Sequence, residues 1–218
     1  MTTIYLIRHG QASFGAESYD QLSPNGELQA KLLGRYFERI LKEAPYVVAG
    51  SMQRHQQTAQ LALAECFPEV EIQTDSAWNE FNHQQVFAQY EPRFNHPELM
   101  KQDVAKEVNP RAYLAKIFEG AIERWTGGEY HHEYEESWPH FKQRVEDALQ
   151  NLCTDLAQKQ PRYAVVFTSG GVISVAAGKI LGLTPNKTFA LNWAITNSSI
   201  TTLRLVGSEP QLFSLNEH

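Results

Sequence analysis

Three short apolar runs, at residues 4–7, 46–49 and 163–167, stand out in the pattern of hydrophobic and polar positions. Each is rich in aliphatic and aromatic residues and shows no alternation with polar residues. Continuous apolar runs of this length, bounded by polar residues, predict short strands that are buried on both faces.

Longer segments, with apolar residues at three- and four-residue spacing, follow these runs. Ser23 and Pro24 supply an N-cap and a first helical position, and the apolar residues beyond them, from Leu28 to Leu41, recur at helical spacing. The same spacing predicts helices over about residues 53–65, 137–159 and 172–181.

The C-terminal segment, residues 188–215, has strand character with polar breaks at 196–197 and 207–210. Strands that alternate with helices are typical of an α/β protein whose sheet is mostly parallel. We therefore expect a three-layer α/β/α sandwich with a mostly parallel central sheet.

Residues 82–134 differ in composition from the rest of the chain. They are rich in Gln, His, Pro, Glu and aromatic residues, and their apolar periodicity is weak. A chain of 218 residues is within the size range of one domain. We interpret residues 1–218 as a single domain that carries a mostly helical lid insertion at roughly 82–134.

The composition excludes some classes of partner. The formal net charge is −6 and no long run of Lys and Arg occurs, which argues against binding to nucleic acid or to a membrane surface. The two cysteines, Cys66 and Cys153, are far apart and favour reduced thiols. The first residues have no secretory-signal pattern, so we expect a cytoplasmic protein.

Polar residues follow each of the three predicted strands, where ligands bind in sheets of this kind. Arg8, His9 and Gly10 follow the first strand. A neutral imidazole is a good nucleophile toward phosphorus, and a neighbouring guanidinium both disfavours the imidazolium and binds phosphate oxygens. This triplet is the strongest chemical signal in the sequence.

Three further features accompany the triplet. Arg54 begins a predicted helix, whose N-terminus favours anions. Glu80 lies between aromatic residues, where partial burial is expected to raise its pKa toward that of a general acid. Ser169 and Gly170 lie in a strand-to-helix turn whose backbone N–H groups are expected to bind an oxyanion.

The order of these motifs resembles the histidine phosphatase (phosphoglycerate mutase-like) superfamily. The set comprises Arg-His-Gly, a serine-led segment with Arg54 and Gln-Thr-Ala, a glutamate, and a strand followed by two glycines. The resemblance covers most of the chain except the insertion. It implies that His9 accepts the phosphoryl group, that Arg8 and Arg54 bind phosphate, and that Glu80 is the general acid and base.

The resemblance also implies a substrate class and a cofactor requirement. The substrate would be a phosphorylated small molecule or a phosphopeptide, and neither a cofactor nor a metal ion would be needed. His131, His132 and His140 lie near several glutamates, but their spacing matches no known metal-ligand pattern. We interpret them as part of an exposed, acidic edge of the lid.

Ser169 departs from the family pattern, which usually has a second histidine at this position. Serine donates a hydrogen bond but carries no positive charge, and the loss of one such donor costs about a hundredfold to a thousandfold in rate. Reduced activity is therefore expected. His83, three residues after Glu80, is a candidate replacement, although a lid-surface histidine is the favoured interpretation.

Several functions are compatible with these residues. The favoured one is a phosphomonoester hydrolase that works through phosphohistidine at His9. A phosphoglycerate-mutase-type phosphotransferase is the alternative within the fold, and the segment Gln11 to Gly15 argues against it because it lacks the mutase pattern. The third possible function is that of a phosphate-ligand-binding protein with no catalytic activity or very weak activity. A serine hydrolase is rejected, since Phe167 breaks the G-x-S-x-G pattern.

Overall fold

The computed structural model describes residues 1–13 and 20–218. Residues 14–19 lie outside the described residues. They include Phe14 and Gly15 of the segment that argued against a mutase.

A six-stranded sheet is the centre of the fold, in the order β3-β2-β4-β1-β5-β6. The pairings of β3 with β2, β2 with β4 and β4 with β1 are parallel, and those of β1 with β5 and β5 with β6 are antiparallel. The strands are β1 (Thr2–Arg8), β2 (Tyr46–Ala49), β3 (Ile72–Thr74), β4 (Tyr163–Thr168), β5 (Ile200–Val206) and β6 (Glu209–Glu217).

Eight α-helices occur in the described part of the chain. They are α1 (Pro24–Ile40), α2 (Gln53–Ala64), α3 (His83–Tyr90), α4 (Pro97–Lys106), α5 (Pro110–Thr126), α6 (Trp138–Lys159), α7 (Gly170–Leu181) and α8 (Pro185–Ala194). Together with the sheet, they confirm the predicted α/β fold class.

Both faces of the central strands β1, β2 and β4 are buried. On one face, Ile7 and Phe167 join a core cluster with Leu33 and Phe37 of α1 and with residues of α2. Side chains that alternate with these along the strands, such as Leu6, point to the opposite face and are equally buried. Burial on both faces explains why these strands read as continuous apolar runs.

Helix α1 begins as predicted. The Ser23 side chain accepts a hydrogen bond from the Gly26 N–H at 3.1 Å, and Pro24 occupies the first turn. The buried face is narrower than the apolar pattern indicates, because Leu28 and Leu32 remain about half exposed. The periodicity therefore predicted the helix correctly but overstated its contact with the core.

Two elements at the edges of the fold differ from the prediction. The segment expected to have strand character from residue 188 begins inside α8, which starts earlier, at Pro185. Only Thr188 and Phe189 of α8 are buried, so too few apolar positions repeat to show a helical period. Strand β3 was not predicted, since it has three residues and two of them are exposed.

The chain divides into two compact units. The first comprises Met1–Glu80 and Arg144–His218, and the second comprises Phe81–Gln143. The second unit has an aromatic core of its own, in which Phe81 stacks on Trp125 with ring centroids 4.7 Å apart. The role of this unit as a lid stays a prediction.

Cys66 and Cys153 are free thiols, as predicted. No helix among the described residues is both long enough and apolar enough to cross a membrane.

Candidate phosphoryl-transfer site

The carboxyl ends of three parallel strands meet in the first unit. The backbone N–H of His9, after β1, donates to the Thr168 carbonyl of β4 at 2.9 Å. The backbone N–H of Gly50, after β2, donates to the Phe167 carbonyl at 3.0 Å. These two bonds bring the segments after β1, β2 and β4 together, so the residues predicted to bind phosphate lie at one edge of the sheet.

His9 is held in a single tautomer by its two neighbours. Its Nδ1 lies 2.7 Å from the Gly10 carbonyl oxygen, which only accepts, so Nδ1 carries the proton and donates. Its Nε2 lies 3.2 Å from Arg54 Nε, which only donates, so Nε2 is the acceptor. The nitrogen that faces the arginine therefore carries a lone pair, as a nucleophile requires.

The surroundings of His9 also keep its ring neutral. His9 is buried, and burial lowers its pKa well below the usual value of 6.5, with further lowering by Arg54, His55 and Arg8. The hydrogen bond to the Gly10 carbonyl acts in the opposite direction. Since the lowering effects dominate, the imidazole is unprotonated at neutral pH.

Arg54 lies in the first turn of α2 and is positioned from two sides. Its Nη1 forms an ion pair with Asp20 Oδ1 at 2.6 Å, while Asp20 Oδ2 accepts from the Gln53 N–H at 2.8 Å. Thr58 accepts from the Gly10 N–H at 3.1 Å and donates to the Arg54 carbonyl at 2.6 Å. The guanidinium is thereby aimed at His9.

Arg8 and the start of α7 are neighbours. Arg8 Nη1 donates to the Ile195 carbonyl. A Cβ added to Gly170 would lie 3.6 Å from Arg8 Nε, so this guanidinium passes beside the N-terminus of the helix. A cation and a helix N-terminus that lie side by side favour an anion at this place.

Glu80 is fixed against the same helix N-terminus. Its Oε2 accepts a hydrogen bond from the Gly171 N–H at 3.0 Å. A Cβ at residue 171 would lie 2.3 Å from Glu80 Oε1, so a larger residue there would displace the carboxylate from this position. The second glycine of the motif therefore has a definite role, which is to admit the side chain of Glu80.

Ser169 lies at the N-cap of α7, and its partner is a residue that the sequence analysis did not identify. Ser169 Oγ lies 2.6 Å from Nε2 of His55, which is fully buried in the first turn of α2. The rings of His55 and His9 have centroids 5.6 Å apart. The site thus contains a second histidine, although it comes from a different segment than the family pattern indicates.

His83, the predicted accessory histidine, is the first residue of α3 in the second unit. Its ring packs edge-on against Phe87, with centroids 6.0 Å apart. Its participation in the reaction stays a prediction.

The sequence analysis assigned no role to four residues of the site, although Thr58 belongs to the Gln-Thr-Ala motif that it noted. Asn197 donates to the His9 carbonyl at 3.1 Å, and Asp20, Thr58 and His55 position the groups described above. The adjacent pair Arg54 and His55 was a readable signal, since an imidazole one position after a phosphate-binding arginine shares the same helix N-terminus. Asp20 and Asn197 carried no such signal because both lie in irregular segments.

Metal ligation has no support in the part of the chain that the structure describes. No three side chains of His, Cys, Asp or Glu come together there as a metal-ion site.

The α/β fold places a neutral, arginine-flanked histidine at the strand ends, an arrangement suited to phosphoryl transfer. The model of the histidine phosphatase superfamily (branch 1) matches residues 4–218. The chain therefore belongs to this superfamily, which supports phosphoryl transfer or phosphate hydrolysis as its general chemistry. No curated protein matches the chain significantly.

Solved structures share the fold at low sequence identity. The phosphoglycerate mutase of Bacillus anthracis has a TM-score of 0.67 and 14% identity, with 99% of this chain and 93% of that chain covered. A phosphoserine phosphatase mutant from Entamoeba histolytica, in complex with phosphoserine, has a TM-score of 0.66 and 18% identity. The match covers 99% of this chain and 97% of that chain. The alpha-ribazole phosphatase of Shigella flexneri has a TM-score of 0.60 and 17% identity, with 99% of this chain and 96% of that chain covered.

Burial of two neutral imidazoles makes the stability of the fold depend on pH. Burial, followed by Arg54, lowers the pKa of His55 well below 6.5, as burial does for His9. Below about pH 6.5 the unfolded chain therefore binds protons that the folded chain does not, and stability is lost as the pH falls. Each histidine contributes up to about 1.4 kcal/mol per pH unit until the folded pKa is reached.

Urea unfolding between about pH 7.5 and about pH 5.5 measures this slope. We expect His55→Leu to have a shallower slope than the wild type, whereas the exposed His218→Ala leaves it unchanged. Equal slopes for wild type and His55→Leu would show that His55 binds protons to the same extent in the folded and unfolded chain.

Proposed function

We propose that this protein is a phosphomonoester hydrolase that works through a phosphohistidine intermediate on His9. The observation that carries the proposal is the fixed tautomer of His9, whose Nε2 lone pair faces Arg54 at 3.2 Å. A group that binds phosphate oxygens thus lies beside the nitrogen that attacks phosphorus.

In the first step, His9 Nε2 forms a bond to phosphorus and the bond from phosphorus to the leaving oxygen breaks. Glu80 gives its proton to that oxygen, so the alcohol leaves neutral. In the second step, the Glu80 carboxylate takes a proton from water as the water oxygen attacks phosphorus. The P–N bond breaks, phosphate is released, and Glu80 is protonated again.

Arg8, Arg54 and the N-terminus of α7 bind the phosphoryl oxygens in both steps. The charge on these oxygens is met by fixed donors that need little rearrangement, which is how enzymes stabilise phosphoryl transfer. Asp20 holds Arg54 at 2.6 Å before substrate binds, so the guanidinium is already oriented. None of these steps requires a metal ion or a cofactor.

The substrate class we propose is a phosphorylated small molecule or a phosphopeptide, encountered in the cytoplasm. Phosphoserine is bound by one structural neighbour, and the names of two others refer to phosphoglycerate and alpha-ribazole. Phosphoserine and phosphoglycerate are both phosphate monoesters of polar alcohols. Hydrolysis needs only the monoester to be recognised in the first unit, so a generic aryl phosphate is a suitable probe.

The direct test is to trap the intermediate. Wild type is mixed with 4-nitrophenyl phosphate that carries a radioactive phosphorus, with chelator present, and quenched in base, where phosphohistidine survives. We expect a base-stable, acid-labile label in the wild type and in the surface variant His218→Ala, and no label in His9→Ala.

Turnover without any trapped label, or label that persists in His9→Ala, would contradict the proposal. Label that passes to added phosphoglycerate instead of appearing as free phosphate would favour a mutase. Protection of the protein against heat by phosphate, without turnover, would indicate a phosphate-binding protein.

A further inference from the structure

The first unit contains two buried histidines, and the proposed reaction uses only His9. His55 is fully buried, directly follows Arg54, and has its ring centroid 5.6 Å from that of His9. Its Nδ1 is buried with no hydrogen-bond partner among the described residues. A buried imidazole with an unpaired nitrogen is costly, and an aliphatic side chain of similar size would avoid the cost. This arrangement therefore requires a functional explanation.

Ser169 departs from the normal behaviour of a helix N-cap. A serine at this position usually accepts a hydrogen bond from the second or third N–H of the helix. In the described part of the chain Ser169 forms no such bond, and the Gly171 N–H is bound by Glu80 instead. The Ser169 hydroxyl instead lies 2.6 Å from His55 Nε2. The orientation of this hydroxyl is thus set by His55.

The proton of the neutral His55 ring belongs on Nε2. Nδ1 faces the backbone of Gly50, where an added Cβ would lie 2.2 Å from it. A proton on Nδ1 would be buried without an acceptor, whereas a proton on Nε2 is accepted by Ser169 Oγ. Because Ser169 Oγ then accepts from His55, its own hydrogen is left to donate to another group.

The location of Ser169 determines which group that is. Ser169 follows Thr168, whose carbonyl binds the His9 N–H, and precedes Gly170, which lies beside Arg8. The Ser169 hydroxyl also contacts His55, whose ring centroid lies 5.6 Å from that of His9, so the hydroxyl belongs to the same site as the nucleophile.

We propose that Ser169 donates its hydroxyl hydrogen to the phosphoryl group during transfer, and that His55 is the positioning residue that holds Ser169 for this purpose. This inference deepens the proposed function and rests on it. The hydrogen bonds run from His55 Nε2–H to Ser169 Oγ, and from Ser169 Oγ–H to a phosphoryl oxygen. Both protons stay on their own atoms, and the covalent changes remain those at phosphorus.

The pair thus replaces the histidine that the family pattern expects at position 169. The loss of rate expected from the serine is then offset by a histidine from α2. His83 is not needed for this role.

Matched variants at the two positions test the inference. Kinetic constants for 4-nitrophenyl phosphate are measured for Ser169→Ala, His55→Leu, His55→Gln and the surface control His218→Ala. We expect Ser169→Ala and His55→Leu each to lower kcat about a hundredfold, with little change in KM, because the donor acts on developing charge. His55→Gln keeps an N–H donor that reaches Ser169 and retains most of the activity.

The double variant Ser169→Ala/His55→Leu is expected to be no slower than Ser169→Ala, since both changes remove one hydrogen-bonded unit. Thermal unfolding and circular dichroism identify a purely structural role of His55. Such a role would lower the stability of the variants but would not make His55→Gln more active than His55→Leu. Additive losses, equal activity of His55→Gln and His55→Leu, or single losses under about threefold would overturn the inference.

An exchange of the two residues gives a second test. In Ser169→His alone, two imidazoles compete for one buried space, so activity is expected to be low. In His55→Ala/Ser169→His the space is freed, and activity is expected to recover to within about tenfold of the wild type. If the double variant is folded but its activity does not recover, the pair of His55 and Ser169 does not replace a single histidine at position 169.

Failure of the proposed function would look different. It would appear in the wild type as an absence of turnover that depends on His9, before any change at positions 55 or 169. A loss of rate in His83→Ala with none in His55→Leu would assign the accessory role to His83 instead.

Discussion

His9→Ala is expected to lower kcat/KM for aryl phosphates by on the order of 10⁴-fold or more, because no other group takes the place of the nucleophile. The residual rate comes from binding and from the remaining donors. Binding of inorganic phosphate is expected to persist, since Arg8, Arg54 and the start of α7 are unchanged. Steady-state kinetics and phosphate calorimetry on the same preparation measure the two effects.

The control for this prediction is stability. Removing a buried imidazole leaves a cavity, but it also removes a group that burial keeps neutral, so the protein is expected to remain folded at neutral pH. Residual activity above about a hundredth of wild type would show that His9 is not the phosphoryl acceptor. Loss of phosphate binding together with activity would show that the substitution disturbed the whole site.

The candidate site residues that the sequence identified lie beside regular elements that the hydrophobic pattern made readable. His9 and Arg54 follow strands whose continuous apolar runs were readable, and strand ends in such a sheet are where ligands bind. The Gly-Gly pair after β4 was also readable. Its physical reason, the space that Glu80 needs against Gly171, became visible only with the side chains in place.

The residues that the sequence did not reveal are those that act through long-range contacts. The proposed role of His55 depends on its hydrogen bond to Ser169, which lies 114 positions further along the chain. Asp20 orients Arg54 across 34 positions from an irregular segment. Local patterns contain no information about such pairs. The departure at Ser169 was visible in the sequence, but its pairing with His55 was not.

The same limit applies to the fold. Strands β1, β2 and β4 are buried on both faces and were predicted, whereas β3 is a short edge strand and α8 buries only two residues. Elements with little buried surface leave little trace in the hydrophobic pattern. The candidate site lies at the ends of the well-buried strands β1, β2 and β4, away from the elements that the pattern missed.

Glu80→Gln is expected to lower kcat/KM, and the loss is expected to increase with the basicity of the leaving group. For alkyl phosphates, whose alkoxides are strong bases, the loss is about 10³-fold, within the range for general acid catalysis. For 4-nitrophenyl phosphate, whose phenolate leaves readily, the loss in the first step is small. Glutamine still offers an oxygen to the Gly171 N–H at the place of Oε2, so the geometry of the helix N-terminus is retained.

A series of aryl and alkyl phosphates measures this dependence directly. The rate of the wild type should vary little with the basicity of the leaving group, and that of Glu80→Gln should fall steeply. The variant also lacks the base for the second step, so labelled phosphohistidine should accumulate with 4-nitrophenyl phosphate. An equal loss for every leaving group, without accumulation, would mean that Glu80 only holds the start of α7. The proton to the leaving oxygen would then have to come from another residue.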